Sequence, residues 1–446
     1  MFLVYSVLLS LGLVLTAPYY LWRLRGKTGA SAGWRERFGL LPPEFQQAQK
    51  GAVWIHAVSV GETLAVAGLA GEIGRRYPGR KIFMSHVTPA GREVGESRLP
   101  SVAGRFYLPL DWGHSVRRAF ACIRPALLVL VETELWPNLL RVAHEFGARI
   151  IVVNARISDR SFRRYCWARP FMRRVLESVD RVCAQTEDDA EKFRRLGAKP
   201  ASVVVTGNLK FEGKPPQLSE LTEKLKKALR GLDRGPVIVA ASTMPGEEPL
   251  LLPAWEKVRD RHPRALLILA PRHPARFDSV AQLLAGKGRS FVRRTALRSD
   301  ENAMGSQLAA PEILLLDTIG ELAGIFEMAE VVFMGGSLVP TGGHNLLEPA
   351  FWGRPILHGP HMENFRDISR LFSQAGAAVQ VRDAEELGRR FLALLQDDAR
   401  RRELGERARQ VVEQEAGATP RVLEHIRALL AAEDPHPGSG LRSEAQ

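Results

Sequence analysis

Cysteine is scarce in this sequence: its 446 residues include Cys122, Cys166 and Cys183 and no others. An odd number of cysteines without Cys-x-x-Cys spacing supports neither a disulfide framework nor a zinc site. The sequence also lacks an Asp-x-Asp motif and a His-Glu-x-x-His motif, so we predict no metal site. An internal repeat with a period of about 20–50 residues is absent, which disfavours a solenoid. The scarcity of cysteine fits a reducing compartment.

Charge is absent from residues 2–22, an apolar stretch long enough to cross a hydrocarbon core about 30 Å thick as one helix. Basic residues follow it directly, which places that flank in the cytoplasm. A cleaved signal peptide would carry its positive charges before the apolar run. We therefore expect residues 1–22 to be a retained anchor, spanning or shallow; a buried N-terminal helix is the alternative. The basic flank contains Arg23, Arg25, Lys27, Arg35 and Arg37.

The overall composition is that of an ordinary globular protein, with 45% hydrophobic and 25% charged residues. A mostly disordered or collagen-like chain is therefore excluded. The length is about twice that of one compact domain, so we expect two domains. The formal net charge of +13 attracts anionic substrates or surfaces. That charge names no partner by itself; together with the apolar N-terminal stretch it leads us to expect a membrane surface rather than a nucleic acid.

Short β-branched runs alternate with amphipathic stretches, the pattern of βα units around parallel sheets. Gly213, Pro215 and Pro216 interrupt this pattern near the middle of the chain. The sequence therefore predicts two Rossmann-like, doubly wound α/β domains that face a central cleft, with an N-terminal anchor helix. The predicted segments are the anchor at 1–22, the N-terminal domain at 23–212, a linker at 213–235, the C-terminal domain at 236–432 and a disordered tail at 433–446.

Ligands of doubly wound sheets bind beyond the carboxyl ends of the strands, so we expect the functional residues to lie at these ends. Glu62 follows the strand predicted at 53–58 and begins a helix, where a carboxylate is either a favourable dipole partner or a general base. Glu132 and Glu134 directly follow the strand predicted at 126–131. One of them can be a helix cap instead of a functional group. Two cations, Arg156 and Lys210, also follow predicted strands and suit either an anionic ligand or structural ion pairs.

The second half places other candidates at its strand ends. Arg272 follows the strand predicted at 265–270 and can donate in a bidentate way to a phosphate. Residues 318–321 open a helix, whose N–H groups can bind an anion. A glycine-rich stretch precedes Glu348, which can accept hydrogen bonds from a ribose. Among the histidines we keep His344 as a ligand contact.

Seven strings occur in order along the chain: HAVSVGET, ETELWPN, NARIS, GNLKF, PRHP, DTIGEL and GGHNLLEP. From the anchor to about Leu430, the chain resembles the 3-deoxy-D-manno-octulosonic acid (Kdo) transferases of lipopolysaccharide assembly. The resemblance implies a GT-B fold at the cytoplasmic face of the inner membrane. It also implies an inverting transfer of Kdo from CMP-Kdo to the tetraacyldisaccharide bisphosphate precursor of lipid A, lipid IVA, with an acceptor-binding N-terminal domain and a CMP-Kdo-binding C-terminal domain.

The resemblance also implies residue roles. Glu62 would be the proton acceptor, and Glu132 and Lys210 would stabilise the transition state. The chain departs from the family pattern at Met244, where the family often has a histidine donor, and at Leu346, where it often has proline. The implied CMP contacts are Pro271, Arg272, Ile319, Gly320, Glu321, Asn345, Leu346, Leu347 and Glu348.

CMP-Kdo has a single phosphate, which Arg272 and helix N–H groups can stabilise without a divalent cation. We therefore expect no cofactor and no metal requirement. Two alternatives remain: a nucleotide-sugar epimerase of the same architecture, which would act on the donor alone, and a non-enzymatic carrier of an anionic lipid. The first needs no anchor, and the second leaves Glu62, Glu132 and the glycine-rich strings unexplained.

Overall fold

The computed structural model describes residues 1–24, 33–212, 220–232, 234–298 and 300–432, and for residues 17–24 and 221 it describes the backbone alone. The chain divides into two compact units, Met1–Glu212 with Ala416–Gln446, and Gly213–Glu415. Each unit contains a seven-stranded sheet in which the paired strands are parallel. The predicted pair of doubly wound α/β sheets is thereby confirmed, whereas their arrangement around a cleft stays a prediction.

The first sheet has the strand order β3-β2-β1-β4-β5-β6-β7. Chain order reverses between β1 and β4, and in such sheets the reversal opens a crevice at the carboxyl ends of the two strands. Both strands are fully buried, as continuous apolar runs in parallel sheets predict. The strands are β1 Ala52–His56, β2 Ile82–His86, β3 Gly104–Tyr107, β4 Pro125–Val131, β5 Arg149–Ala155, β6 Arg181–Ala184 and β7 Val203–Val205.

Helices cover both faces of this sheet, and serine or threonine side chains accept hydrogen bonds at several of their first turns. Trp54 of β1 anchors one face, with its ring centroid 5.2 Å from that of Phe106 and 5.0 Å from that of Phe120. The helices are α1 Phe2–Leu24, α2 Trp34–Arg37, α3 Val60–Arg76, α4 Pro89–Arg98, α5 Gly113–Ile123, α6 Pro137–Glu145, α7 Asp159–Trp167, α8 Arg169–Leu176 and α9 Glu187–Leu196.

The second sheet has the order β10-β11-β9-β8-β12-β13-β14 and reverses between β8 and β12. Its strands are β8 Val237–Thr243, β9 Leu266–Pro271, β10 Phe291–Arg293, β11 Ile313–Leu315, β12 Val331–Met334, β13 Ile356–His358 and β14 Val379–Gln380. Its helices are α10 Glu220–Gly231, α11 Glu248–Arg261, α12 Phe277–Gly286, α13 Glu301–Leu308, α14 Leu322–Ile325, α15 Leu347–Phe351, α16 Arg366–Gln374, α17 Ala384–Gln396 and α18 Asp398–Glu415.

Two predicted boundaries need correction. The linker expected at 213–235 contains α10, which packs against α13 and belongs to the second unit. The C-terminal domain was expected to run to residue 432, but the chain turns at Gly417, which has a φ of 92°, and continues as α19, Ala418–Ala431. Val422, Ile426 and other apolar residues of α19 pack against the first sheet. Residues 213–219 and the predicted tail at 433–446 lie outside the described residues.

The N-terminal helix α1 lies against the first unit along one face. The ring of Phe2 lies 5.6 Å from that of Phe171, and Ser6 and Ser10 accept hydrogen bonds from Asn138 and Trp112. Among the described residues no helix is both long enough and apolar enough to cross a membrane. Residues 25–32, which include Arg25 and Lys27 of the predicted basic flank, lie outside the residues that the structure describes. Arg37 is structural, because it donates to the Val87 carbonyl and stacks on a tyrosine ring.

Candidate active site

Three predicted catalytic residues lie at the carboxyl end of the first sheet. Glu62 is in the first turn of α3, which follows β1, and Glu132 directly follows β4. Lys210 is in a 3-10 turn, Leu209–Glu212, after β7. Since β1 and β4 are paired at the reversal of strand order, strings that lie far apart in the sequence meet at this crevice.

The carboxylate of Glu62 is buried and held in place by its own helix start. One oxygen, Oε2, accepts from the Val58 N–H at 2.8 Å, and Oε1 accepts from the Ser59 hydroxyl at 3.0 Å. Ser59 is also the N-cap of α3 and, in turn, accepts from the Glu62 N–H. This reciprocal pattern resembles a capping box. Glu62 therefore stabilises the start of α3, and the same side chain is the predicted general base.

The pKa of Glu62 lies above that of an ordinary glutamate. Burial is the main cause, and the negative charge of Glu132 adds to it. The Val58 N–H, the Ser59 hydroxyl and the charge of Lys210 act in the opposite direction. A carboxylate with a raised pKa is a stronger base than an exposed one, as proton abstraction from an alcohol requires.

Glu132 is held between two cations. Its Oε1 lies 3.2 Å from Nζ of Lys210, and its Oε2 lies 3.0 Å from Nε of Arg156. Its side chain is 13% exposed, less than those of Lys210 at 24% and Arg156 at 43%. The sequence placed all three at strand ends, and the structure brings them together as one ion-paired cluster.

The backbone at this cluster has one left-handed residue directly after β4 and another inside β5, at its second-to-last position. Glu132 has a φ of 60° and Asn154 a φ of 54°, values that non-glycine residues adopt uncommonly. At Glu132 the conformation follows β4 immediately, and its N–H still donates to the Val153 carbonyl at 2.9 Å. The sheet therefore keeps its hydrogen bond while the chain turns sharply and leaves the carboxylate at the strand end.

A chain of amide groups positions Lys210. Asn154 accepts from the Leu209 N–H at 3.0 Å through Oδ1, and Asn208 accepts from the Lys210 N–H at 2.9 Å. Gln185 in turn accepts from the Asn208 side chain at 3.0 Å. Asn154 and Asn208 occur in the strings NARIS and GNLKF, but the sequence assigns them no role of their own. Gln185 was not predicted, because a single polar residue after β6 belongs to no motif.

Glu134 completes the carboxylate cluster, and its side chain is 22% exposed. It accepts a hydrogen bond at 2.8 Å from Nε1 of Trp136. Burial and the charges of Glu62 and Glu132 raise its pKa to about 7, although the hydrogen bond from Trp136 opposes them. Glu134 therefore changes its charge near neutral pH, unlike an ordinary glutamate.

In the second unit, Glu247 organises the glycine-rich loop after β12. One carboxylate oxygen, Oε1, accepts from the N–H groups of Ser337 and Leu338, both at 2.9 Å. The other, Oε2, accepts from Gly336 at 2.5 Å and from Met244 at 2.9 Å. The side chain is fully buried, so four N–H groups replace its hydration. None of the seven strings contains Glu247, so sequence reasoning assigned it no role.

The glycines of this loop are needed for close packing. Gly336 has a φ of 66°, and a Cβ there would lie 2.9 Å from Nε2 of His344. Gly335 passes so close to β8 that a Cβ would lie 2.8 Å from the carbonyl oxygen of Ser242. The glycine string therefore reflects contact between β8 and the loop after β12, at the reversal of the second sheet.

Arg272, His273 and His344 form the basic part of this strand end. Arg272 is exposed, and its N–H donates to the Thr243 carbonyl at 3.0 Å. Burial, followed by the charges of Arg272 and His273, lowers the pKa of His344 to about 4. Within the described residues Nε2 of His344 is buried and has no hydrogen-bond partner. Pro271 is buried and ends β9.

The predicted contacts at 319–321 lie after β11. Gly320 has a φ of 90°, Ile319 is 71% exposed, and the Glu321 carboxylate pairs with Arg294 at 2.9 and 3.1 Å. The helix expected to begin here is α14, which has four residues and so offers little macrodipole. The Glu321 side chain is therefore structural, and a ligand would meet the backbone of this turn.

The predicted CMP contacts at 345–348 differ in whether the side chain or only the backbone can face a ligand. Leu346 is fully buried and Leu347 is 1% exposed, so their side chains belong to the core and only their backbone groups can face a ligand. Asn345 accepts from the Leu347 N–H at 3.2 Å and lies 3.4 Å from Glu348. The family departure at Leu346 therefore falls on a core side chain.

Within the described parts of the chain no group of three or more His, Cys, Asp and Glu side chains is arranged to hold a metal ion. The carboxylates of the first unit pair instead with Lys210 and Arg156. The expected independence of metal stays a prediction.

Comparison with known proteins identifies the family. A family model described as 3-deoxy-D-manno-octulosonic-acid transferase (kdotransferase) matches residues 32–213. The 3-deoxy-D-manno-octulosonic acid transferase of Bordetella pertussis is 36% identical over 421 residues, 91% of this chain and 95% of the relative. The chain belongs to the 3-deoxy-D-manno-octulosonic acid transferase family. The Haemophilus influenzae transferase is 33% identical and covers 85% of the chain and 87% of its own length.

Family membership confirms the resemblance and the enzyme class, a glycosyltransferase of the Kdo transferase family. Solved structures with low identity share the fold. A UDP-GlcNAc 2-epimerase from Neisseria meningitidis, solved with UDP-GlcNAc, is 12% identical with a TM-score of 0.55 and covers 84% of this chain and 100% of its own. A glycosyltransferase from Rickettsia africae is also 12% identical, with a TM-score of 0.53 and coverages of 85% and 99%. At this identity the likeness concerns the fold alone.

Proposed function

We propose that this Kdo transferase moves Kdo from CMP-Kdo to lipid IVA in lipopolysaccharide assembly. Family membership supports the reaction, and the carboxylate cluster of Glu62 and Glu132 at the reversal of the first sheet is the observation that carries the mechanism. An inverting transfer needs a base for the attacking hydroxyl and an anion for the cationic sugar. These two carboxylates supply both.

In this mechanism Glu62 takes the proton of a glucosamine hydroxyl as the oxygen attacks the anomeric carbon of Kdo. Two of its lone pairs are occupied by Val58 and Ser59, which fixes the carboxylate and leaves others for the hydroxyl. The charge of Glu132 stabilises the cationic sugar. Lys210 pairs with Glu132 through one contact, and its remaining N–H donors are available to the Kdo carboxylate.

On the donor side, Arg272 stabilises the phosphate of the departing CMP. Its exposed guanidinium lies close enough to His344 for its charge to lower the pKa of that ring. The backbone turns at 319–321 and 345–348 provide N–H groups to the nucleotide. A single phosphate needs no divalent cation in this arrangement, so we expect the rate to persist in excess EDTA; a strict Mg²⁺ requirement would contradict this part of the mechanism.

We also propose that α1 attaches the enzyme to the cytoplasmic face of the inner membrane by lying at its surface. Residues that contact the domain recur at helical spacing, and the opposite face exposes large apolar side chains. Exposures of this face include 77% for Leu3, 63% for Leu8 and 79% for Leu15. Such a helix binds the interface with its apolar face and need not span the bilayer.

The neighbouring helices α7 and α8 support attachment to an anionic surface. Trp167, the last residue of α7, is 92% exposed, and Phe171 of α8 contacts the rings of Phe2 and Tyr5 in α1. Arginines near lipid headgroups each add attraction of about 1 kcal/mol. The exposed arginines of these helices are Arg160, Arg163, Arg164, Arg169, Arg173 and Arg174.

The deciding experiment incubates the purified protein with CMP-Kdo and lipid IVA and measures the mass of the lipid product for zero, one, two or more additions. Glu62→Gln is the inactive comparison, and Glu72→Gln, on the exposed part of the same helix, is the matched control. Conversion of CMP-Kdo without lipid would indicate the epimerase alternative. Lipid binding without CMP binding or transfer would indicate the carrier.

A further inference from the structure

A buried histidine beside the carboxylate cluster has one nitrogen without a partner. His56, the last residue of β1, is fully buried, and its Nδ1 lies 3.1 Å from the Ser85 carbonyl oxygen and 2.9 Å from the Ser85 hydroxyl. A carbonyl oxygen only accepts hydrogen bonds, so we assign the ring proton to Nδ1. The other nitrogen, Nε2, then carries a lone pair and has no hydrogen-bond partner among the described residues.

The bare nitrogen faces Glu134. Nε2 of His56 lies 3.9 Å from Oε2 of Glu134, which also accepts from Nε1 of Trp136. If Glu134 were ionised, a carboxylate oxygen that can only accept would face a buried nitrogen that can only accept, which is unfavourable. A proton on the carboxyl group removes this conflict, and an approach of about 1 Å then closes a hydrogen bond.

We infer that Glu134 carries its proton during transfer and donates it in a hydrogen bond to Nε2 of His56. This inference rests on the proposed function, because it concerns the same cluster. Glu134 is thereby a positioning residue: it keeps a third negative charge away from Glu62 and Glu132. Those two carboxylates are then matched by the two cations that hold Glu132, which are Lys210 and Arg156.

The electrostatics of the surroundings agree with this assignment. Burial and the neighbouring carboxylates raise the pKa of Glu134 to about 7, so its proton is largely retained below neutral pH. Burial lowers the pKa of His56 to about 3, so the ring is a neutral acceptor rather than a cation. The titratable groups that face Glu134 are Glu62, Glu132, His56 and Tyr165.

The first test needs no substrate. Infrared difference spectra between about pH 6 and pH 8, on either side of the pKa of Glu134, should contain the C=O band of a carboxylic acid that loses its proton. The band should disappear in Glu134→Gln. It should persist in Glu145→Gln, which changes an exposed glutamate in ion pairs with Arg117 and Arg141. Absence of the band from the wild-type spectra, or its persistence in Glu134→Gln, would overturn the inference.

The second test follows transfer. Glu134→Gln keeps an N–H donor for His56, so its kcat/KM below neutral pH should stay within about threefold of the wild type, whereas Glu134→Leu should lose at least about tenfold. Above pH 7 the ionised wild-type Glu134 repels the anionic donor, so kcat/KM should fall in the wild type and stay level in Glu134→Gln. The same fall in both proteins would contradict the pair. An infrared band without any Kdo transfer would reject the proposed function and leave the pair intact.

Discussion

Lys210 and Glu132 form an ion pair across 78 residues of chain, with 3.2 Å between Nζ and Oε1. Each belongs to a string at the end of a different strand, and β4 and β7 do not pair with each other in the sheet. Arg156 binds the other oxygen of the same carboxylate. Glu132 is therefore held in one orientation from both sides, as a group that must stabilise a short-lived cation requires.

The first prediction separates the two cations. Lys210→Gln should lower kcat by about 10²–10³, because it removes both the support of Glu132 and the contact proposed for the Kdo carboxylate. Arg156→Gln should cost less than about tenfold, since its guanidinium is more exposed and solvent screens the pair. Steady-state kinetics with saturating lipid measures both. Arg149→Gln, which removes an ion pair at the opposite end of β5, is the control, and equal losses in all three variants would contradict the assignment.

The second prediction concerns the pH at which transfer fails. Protonated Glu62 cannot accept a proton, so the rate should fall as the pH drops through its raised pKa. In Ser59→Ala the carboxylate loses a donor, so its pKa should rise and the acidic limb of the kcat/KM profile should move to higher pH. In Glu132→Gln a neighbouring negative charge disappears, and the limb should move to lower pH.

The control for that experiment is Asp300→Ala. Asp300 caps α13 as Ser59 caps α3, so its loss costs a similar free energy of unfolding, about 1 kcal/mol. Its side chain accepts from the Ala303 N–H and not from a group that holds Glu62. The acidic limb of this variant should coincide with that of the wild type. If Ser59→Ala and Glu132→Gln both left the limb in place, Glu62 would not be the group that titrates.

Strands with a continuous apolar run were predictable, whereas three of the four strands at the edges of the described sheets were not. The strands predicted at 53–58, 126–131 and 265–270 occur as Ala52–His56, Pro125–Val131 and Leu266–Pro271. The strands that were not predicted are β3, β10 and β14, which lie at sheet edges. Such strands are short and partly exposed, and therefore lack the apolar run that marks a central strand.

The site residues were predicted from their positions at strand ends and from the family strings. Both signals indicate individual residues but not the groups that those residues contact. They located Glu62, Glu132 and Lys210, but not the four N–H groups around Glu247 or the bare nitrogen of His56. These arrangements depend on the positions of backbone groups from separate strands. The return of α19 to the first unit was missed for a similar reason, since its helical pattern does not indicate which sheet it covers.

The third prediction tests Glu247 as the support of the donor loop. Glu247→Ala leaves four N–H groups without this acceptor, and two of them are buried. Each buried N–H without an acceptor costs about 1–3 kcal/mol. We expect a lower Tm and a dissociation constant for CMP at least about tenfold higher, measured by calorimetry. Glu385→Gln, an exposed glutamate of the same unit, should change neither. Unchanged CMP affinity in Glu247→Ala would show that the loop does not shape the nucleotide site.

The fourth prediction concerns the exposed face of α1. Replacement of Leu3, Leu8 and Leu15 by serine removes three large apolar groups, each worth about 1.5–3 kcal/mol when buried, and leaves the serines that contact the domain in place. Co-sedimentation with phosphatidylglycerol vesicles should therefore fall by roughly a hundredfold or more, while CMP binding stays unchanged. Leu250→Ser, a partly exposed leucine of α11, should co-sediment like the wild type. Equal co-sedimentation of the triple variant and the wild type would remove α1 as the attachment surface and leave the arginines of α7 and α8 as the remaining contact.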